Sequence, residues 1–164
     1  MHRIEVEKIA LNVGCGGDAD KIEKATKLLG MLTERKPVIT KSKRRSTFGV
    51  PKGKPVGVMI TLRRKPAEDF LRRALYAVEN KLKSSQFDNE GNFSFGVKEY
   101  IDIQDVKYSH EIGMLGLDVC VALKRPGFRI KQRKIQKREI PRKHKINKEE
   151  AMNFVKSKYG VEIV

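Results

Sequence analysis

Apolar residues alternate with small or polar ones over residues 56–63, with Val56, Val58, Ile60 and Leu62 on one face and Gly57, Met59, Thr61 and Arg63 on the other. That is the period of a strand with one buried face. Leu117, Val119, Val121 and Leu123 repeat the pattern, with Cys120 and Ala122 between them small enough to be buried on the strand's other side. Residues 3–13 change parity, from Ile4 and Val6 to Ile9, Leu11 and Val13, which predicts a strand with a bulge, or with a twist between a short outer piece and the core piece, and turns Lys8, Ala10 and Asn12 away from the core. Phe93–Val97 predicts a short strand. Helical spacing replaces alternation at Ile22, Ala25, Leu28, Leu29 and Leu32, after a cap at Asp18 or Asp20 and with a stop before Pro37. A second stripe, Leu71, Ala74, Leu75, Val78 and Leu82, predicts a helix from Pro66 to about Lys83, with Glu68 and Asp69 complementing the dipole in its first turn. Residues 99–116 show no convincing period and are expected to be loop with short extended pieces. Asn147 with Glu150 opens a short amphipathic helix through Ala151, Phe154, Val155 and Tyr159, ended by Gly160.

This order predicts an α+β fold, a mostly antiparallel sheet with two helices on one face, plus a basic C-terminal extension ending in a short helix. The expected divisions are 1–124 as an α+β RNA-binding domain, 125–146 as a polybasic extension and 147–164 as the C-terminal helix. Such a sheet leaves one face bare, and the alternation places Asn12, Thr61 and Arg63 on it.

Charge sharpens the picture. The net charge is +16 over 164 residues. The stretch 41–54 joins two strands and carries six Lys or Arg (Lys41, Lys43, Arg44, Arg45, Lys52, Lys54) and no acid. Residues 124–145 carry eleven basic residues against Glu139. Outside these two stretches positive and negative charges balance. Two confined polybasic segments on a neutral body match the footprint of a polyanion better than an evenly solvated surface, and neither has the apolar face of a membrane-surface helix. The segment 125–146 has so few apolar residues that it is expected to stay extended or disordered until it meets a partner. Phe48 and Phe128, set among cations, either stack on unpaired bases or anchor their segments. No apolar run approaches the roughly 18 residues of a membrane span, the N-terminus lacks a signal peptide's apolar core, and a soluble intracellular protein is expected.

Enzymatic chemistry finds little footing. Gly14, Gly16 and Ala19 fit G-x-G-x-x-A between a strand and a helix, but the ribose-binding acid is missing and too few strand-crossover-strand units follow for a dinucleotide fold. Cys15 sits near a helix N-terminus, where a thiol pKa can be depressed, yet no histidine accompanies it. Cys15 and Cys120 form no CxxC pair. His2, His110 and His144 are scattered, and Asp102, Asp105, Glu111 and Asp118 show no paired or metal-ligand spacing. No catalytic residue, metal or cofactor is expected.

Assembled in order, Leu11-Asn12-Val13-Gly14, Lys36-Pro37, Phe48-Gly49, Lys52-Gly53-Lys54-Pro55-Val56-Gly57, Thr61-Leu62-Arg63, Phe87-Asp88, Gly91-Asn92-Phe93-Ser94-Phe95-Gly96 and Gly116-Leu117-Asp118-Val119 closely resemble the fifth large-subunit ribosomal protein family. The tail through Arg125-Pro126-Gly127 resembles its archaeal and eukaryotic branch. The resemblance implies a protein of the cytoplasmic ribosome whose sheet face binds 5S rRNA in the central protuberance. It also implies contacts to large-subunit rRNA, to P-site tRNA through the loop from Arg44 to Lys54, to small-subunit ribosomal protein thirteen, and to other central-protuberance proteins. Carried over by motif, Asn12, Phe48, Thr61 and Arg63 would be 5S rRNA contacts. Arg35 stands where the family usually has Gln and would exchange an amide contact for a guanidinium. The six loop cations, with Arg125, Arg129, Lys131, Arg133 and Lys134 of the tail, complete the expected RNA-binding set.

Overall fold

The computed structural model describes residues 2–47 and 49–164. Strand β1 (Glu5–Gly14) lies at the centre of a five-stranded antiparallel sheet, flanked by β3 (Pro55–Arg63) and β6 (Leu117–Lys124), with β2 (Val38–Lys41) and β5 (Phe93–Val97) at the edges. The register aligns the apolar sets the alternation defines: Ile9 faces Leu62 and Val121, Leu11 faces Ile60 and Val119, and Phe95 faces Val119. The parity change in β1 is a register shift between Val6 and Lys8, so Val6 and Ile9 are both buried. Without that extra residue one of them would face water.

Two helices cover the apolar face. Helix α1 (Ala19–Thr33) starts where the Asp18 carboxylate accepts the Asp20 backbone N–H at 3.1 Å, and it ends at Glu34 in a left-handed conformation. It buries Ile22, Ala25, Leu28, Leu29 and Leu32, each buried leucine contributing about 1.5–3 kcal/mol of transfer free energy. Helix α2 (Lys65–Tyr76) has Pro66 in its first turn and buries Ala67, Phe70, Leu71, Ala74 and Leu75.

The expected extension of this helix to Lys83 does not form. Glu79 and Asn80 both adopt positive φ (54° and 55°), and Lys81–Leu82 becomes a short strand, β4, paired in parallel with β7 (Glu162–Ile163). Leu82 is buried, but by a partner far downstream in the chain rather than by its own helix. The loop 99–116 is anchored by Tyr100, fully buried, whose hydroxyl accepts the Ser109 backbone N–H at 2.9 Å.

The segment 125–146 is not an extended tail. A short helix α3 (Arg129–Gln132) follows Arg125, and Ile140 and Ile146 are buried. Helix α4 (Lys148–Tyr159) places Ala151 and Val155 in the same continuous core as the sheet, with Gly160 at φ 67° as its C-cap. Lys158 reaches across to Glu68 of α2 at 2.9 Å. Cys120 also departs from expectation: parity sets it opposite Ala10, but among the described residues nothing covers that face, so the thiol is exposed.

Candidate nucleic-acid interface

The bare face of the sheet follows from the register. One row across it reads Val38, Met59, Asn12, Asp118 and Gly96; the next reads Thr61, Ala10, Cys120 and Ser94; a third holds Arg63, Lys8 and Ala122. Side chains in a row stand about 5 Å apart and rows about 7 Å apart. The middle of this face is small, so a partner can approach the strands closely, while Lys8 and Arg63 face one another across β1 and β3 at one end. Asn12 and Thr61 are half-buried and Arg63 is exposed. Lys8 was absent from the expected set, although the alternation that turns Asn12 outward also exposes Lys8.

At the other end the sheet runs into the basic loop, which extends the β2–β3 ladder. Ser42 N–H donates to Lys54 O at 2.9 Å, Gly53 N–H to Ser42 O at 2.9 Å and Ser46 N–H to Val50 O at 2.9 Å. Lys41, Lys43, Arg44, Arg45, Lys52 and Lys54 are all exposed on this ribbon. Phe48, expected to stack or to anchor, lies outside the described residues. The ribbon leans on the glycine turn after β1: a Cβ on Gly17, at φ 90°, would lie 2.9 Å from Lys54 Cε. The positive φ is what favours glycine at 17, since the exposed lysine stem could give way.

No dinucleotide crossover follows that turn, because β1 pairs antiparallel with both neighbours. Cys15 is buried, its N–H donating to Val56 O at 2.9 Å, and burial pushes its thiol pKa up with the Asp18 charge adding to the rise. A thiol so raised is the reverse of an activated nucleophile. Among the described residues no group of three or more His, Cys, Asp or Glu is placed to hold a metal ion, and no helix is long and apolar enough to cross a membrane.

The third cationic element is the folded tail. Arg129, Lys131 and Lys134 are exposed and Arg133 is half-buried, its Nε donating to Gln136 O at 2.8 Å. Arg125 differs from its expected place at the RNA surface. It is 4 % exposed, and its guanidinium lies 2.7 Å from the Glu150 carboxylate, so its charge is committed inside the protein. Phe128 is half-buried against the core with its ring edge-to-face on His144, centroids 5.7 Å apart. Arg35 is exposed in the turn between α1 and β2.

These features define an α+β sheet protein with helices behind and a polycationic open side. Residues 55–154 match the family model for the C-terminus of the ribosomal L5 protein family, and residues 1–50 match that for ribosomal protein L5. The chain is 46 % identical to the large ribosomal subunit protein uL5 of Sulfolobus acidocaldarius over its whole length and 93 % of that protein. It is 42 % identical to the uL5 of Pyrobaculum aerophilum and 38 % identical to that of Methanoregula boonei, in each case over 99 % of this chain, covering 92 % and 99 % of those proteins. The chain belongs to the ribosomal protein L5 family.

Proposed function

We propose that this protein is a structural component of the large subunit of the cytoplasmic ribosome, that its open sheet face binds 5S rRNA, and that it attaches this RNA to large-subunit rRNA in the central protuberance. The observation that carries this is the uncovered sheet face that holds Asn12, Thr61 and Arg63 in successive rows and runs, at its Asn12 end, into a six-cation ribbon, in a chain of this family. Phosphate contacts fix position and base or sugar contacts specify. The ribbon and the exposed tail cations Arg129, Lys131, Arg133 and Lys134 serve the first role, with Lys8 and Arg35 at the sheet margins. Asn12 and Thr61, held rigidly by strand pairing, serve the second. The ribbon from Arg44 to Lys54 is the element free to reach P-site tRNA, and the remaining exposed surfaces serve small-subunit protein thirteen and neighbouring central-protuberance proteins.

The test is a titration with 5S rRNA, using tRNA and duplex DNA as competitors, at several salt concentrations. If about eight cations neutralise phosphates, affinity falls on the order of a thousandfold or more between low and moderate salt. At moderate salt 5S rRNA is expected to survive competition. Equal competition by all three polyanions would leave only charge at work and would refute the specific assignment.

A further inference from the structure

A cleft of about 580 Å³ opens within the folded basic segment, with Glu90 contributed by the body of the domain, and none of the open-face residues lines it. Its floor is apolar and fixed. Ile140 and Ile146 are 7 % and 1 % exposed, and a Cβ on Gly91 would lie 2.5 Å from Ile146 Cγ2, so the turn at 88–92 closes directly over that side chain. Phe128 forms another wall, its ring held by the edge-to-face contact with His144.

The rim is predominantly cationic, Lys131, Lys137, Arg138 and Lys145 standing against Glu90 and Glu139. Lys145 is spoken for by Glu90 at 3.9 Å, but Lys131, Lys137 and Arg138, which also line the cleft, have no carboxylate within 4.0 Å among the described residues. A lone phosphate would leave the apolar floor unused. A hydrocarbon chain would leave the cations unused. A flat ring joined to a phosphate uses both, and the volume falls within the roughly 300–1,000 Å³ of small-ligand sites.

We infer that this cleft receives one unpaired nucleotide of rRNA, its base against Phe128 and Ile140 and its phosphates on Lys131, Lys137 and Arg138. The inference rests on the rRNA-binding function proposed above. Bases taken out of a helix are commonly held by stacking on an aromatic ring with cations on the flanking phosphates. Here the slot is built before the RNA arrives, because the tail that forms it is already packed.

The probe is adenosine 5′-monophosphate, titrated into the full chain while the methyl resonances of Ile140 and Ile146 are followed by NMR, with ribose 5-phosphate at equal ionic strength as control. AMP is expected to move both methyls saturably while ribose 5-phosphate leaves them in place. A double change, Lys137→Glu with Arg138→Glu, weakens AMP about tenfold or more; both side chains are exposed, so the fold survives. Phe128→Leu weakens it about fivefold or more through lost stacking. Displacement of AMP by 5S rRNA or by large-subunit rRNA identifies which RNA supplies the nucleotide. Equal shifts with ribose 5-phosphate, no shift with AMP, or displacement by neither RNA would overturn the inference. A chain that selects 5S rRNA yet ignores AMP refutes the cleft alone. A chain that takes AMP but shows no preference for 5S rRNA refutes the 5S rRNA assignment and not the nucleotide site.

Discussion

Replacing Glu150 by Gln isolates the contribution of one charge. Arg125 Nη2 lies 2.7 Å from Glu150 Oε1, with the arginine side chain 5 % exposed and the glutamate 42 % exposed. Removing one partner of a fully buried pair costs about 3–5 kcal/mol, because the other charge is left uncompensated. Here the stranded group would be the buried one, and the half-exposed carboxylate trims the gain from the pair, so a loss of about 2–3 kcal/mol is expected for Glu150→Gln. Gln still accepts the Asn147 backbone N–H that Glu150 accepts at 3.0 Å, so the helix start is kept. The reverse change, Arg125→Met, removes the buried cation and leaves a carboxylate that water can reach; it costs about 1 kcal/mol or less. The double variant therefore resembles Arg125→Met. For a domain of this size each kcal/mol moves the midpoint about 2–4 °C, so thermal unfolding followed by circular dichroism would place Glu150→Gln about 4–12 °C below the parent. The Asn147 N–H holds the Glu150 carboxyl below its ordinary value of 4.5, burial opposes this, and Arg125 adds to the lowering. A depressed folded pKa means that this stability is present above about pH 4.5 and is lost as pH falls through the folded value. Glu150→Gln flattens that part of the acid limb. Equal losses in the two single variants would show that packing, not charge, governs the site.

Three further outcomes are expected. Asn12→Ala lowers 5S rRNA affinity at moderate salt and leaves the slope of log affinity against log salt unchanged, whereas Arg44→Ala reduces that slope by about 0.7–0.9; identical behaviour would end the division between specifying and positioning residues. Gly57→Ala puts a Cβ 2.6 Å from the Val13 carbonyl oxygen between β3 and β1, and a loss of about 1–3 kcal/mol is expected in urea unfolding. A change below about 0.5 kcal/mol, the usual range for harmless surface substitutions, would mean that the strands separate without penalty.

Strands were legible wherever one face is covered, because alternation encodes that face directly, as in Ile9, Leu11 and Val13 against Val58, Ile60 and Leu62. What parity cannot encode is whether the second face has a cover, which is why small size alone suggested that Cys120 could be buried. The last turns expected of α2 fail for a related reason. Val78 and Leu82 sit at helical spacing, but the chain breaks at Glu79 and Asn80 to let Leu82 pair with Ile163, and a partner that distant leaves no local trace. In the site, the ribbon and the outward row of β1 and β3 were readable from charge and period alone. The tail was not. Its Phe128, Ile140 and Ile146 are too sparse to bury one another, and only the body of the domain supplies what covers them. Likewise an arginine among ten other cations carries no mark that its own partner is a glutamate twenty-five residues on.

The two basic segments thus reach a polyanion on different footings. The ribbon's cations are all exposed and its backbone is held mainly by its own rungs, so each phosphate contact there must bear the entropy of ordering a long side chain. The tail's cations ride on backbone already pinned at Arg125, Ile140 and Ile146, and the ordering is done before RNA arrives. It follows that Glu150→Gln, which touches no exposed cation, is expected to weaken 5S rRNA binding by loosening the tail while leaving the salt slope unchanged, since the number of phosphates neutralised stays the same. Filter binding of parent and variant across a salt series separates the two quantities. A fall in slope would mean that the tail cations leave the RNA when the clasp opens, and an unchanged affinity would mean that the tail's order contributes nothing to binding.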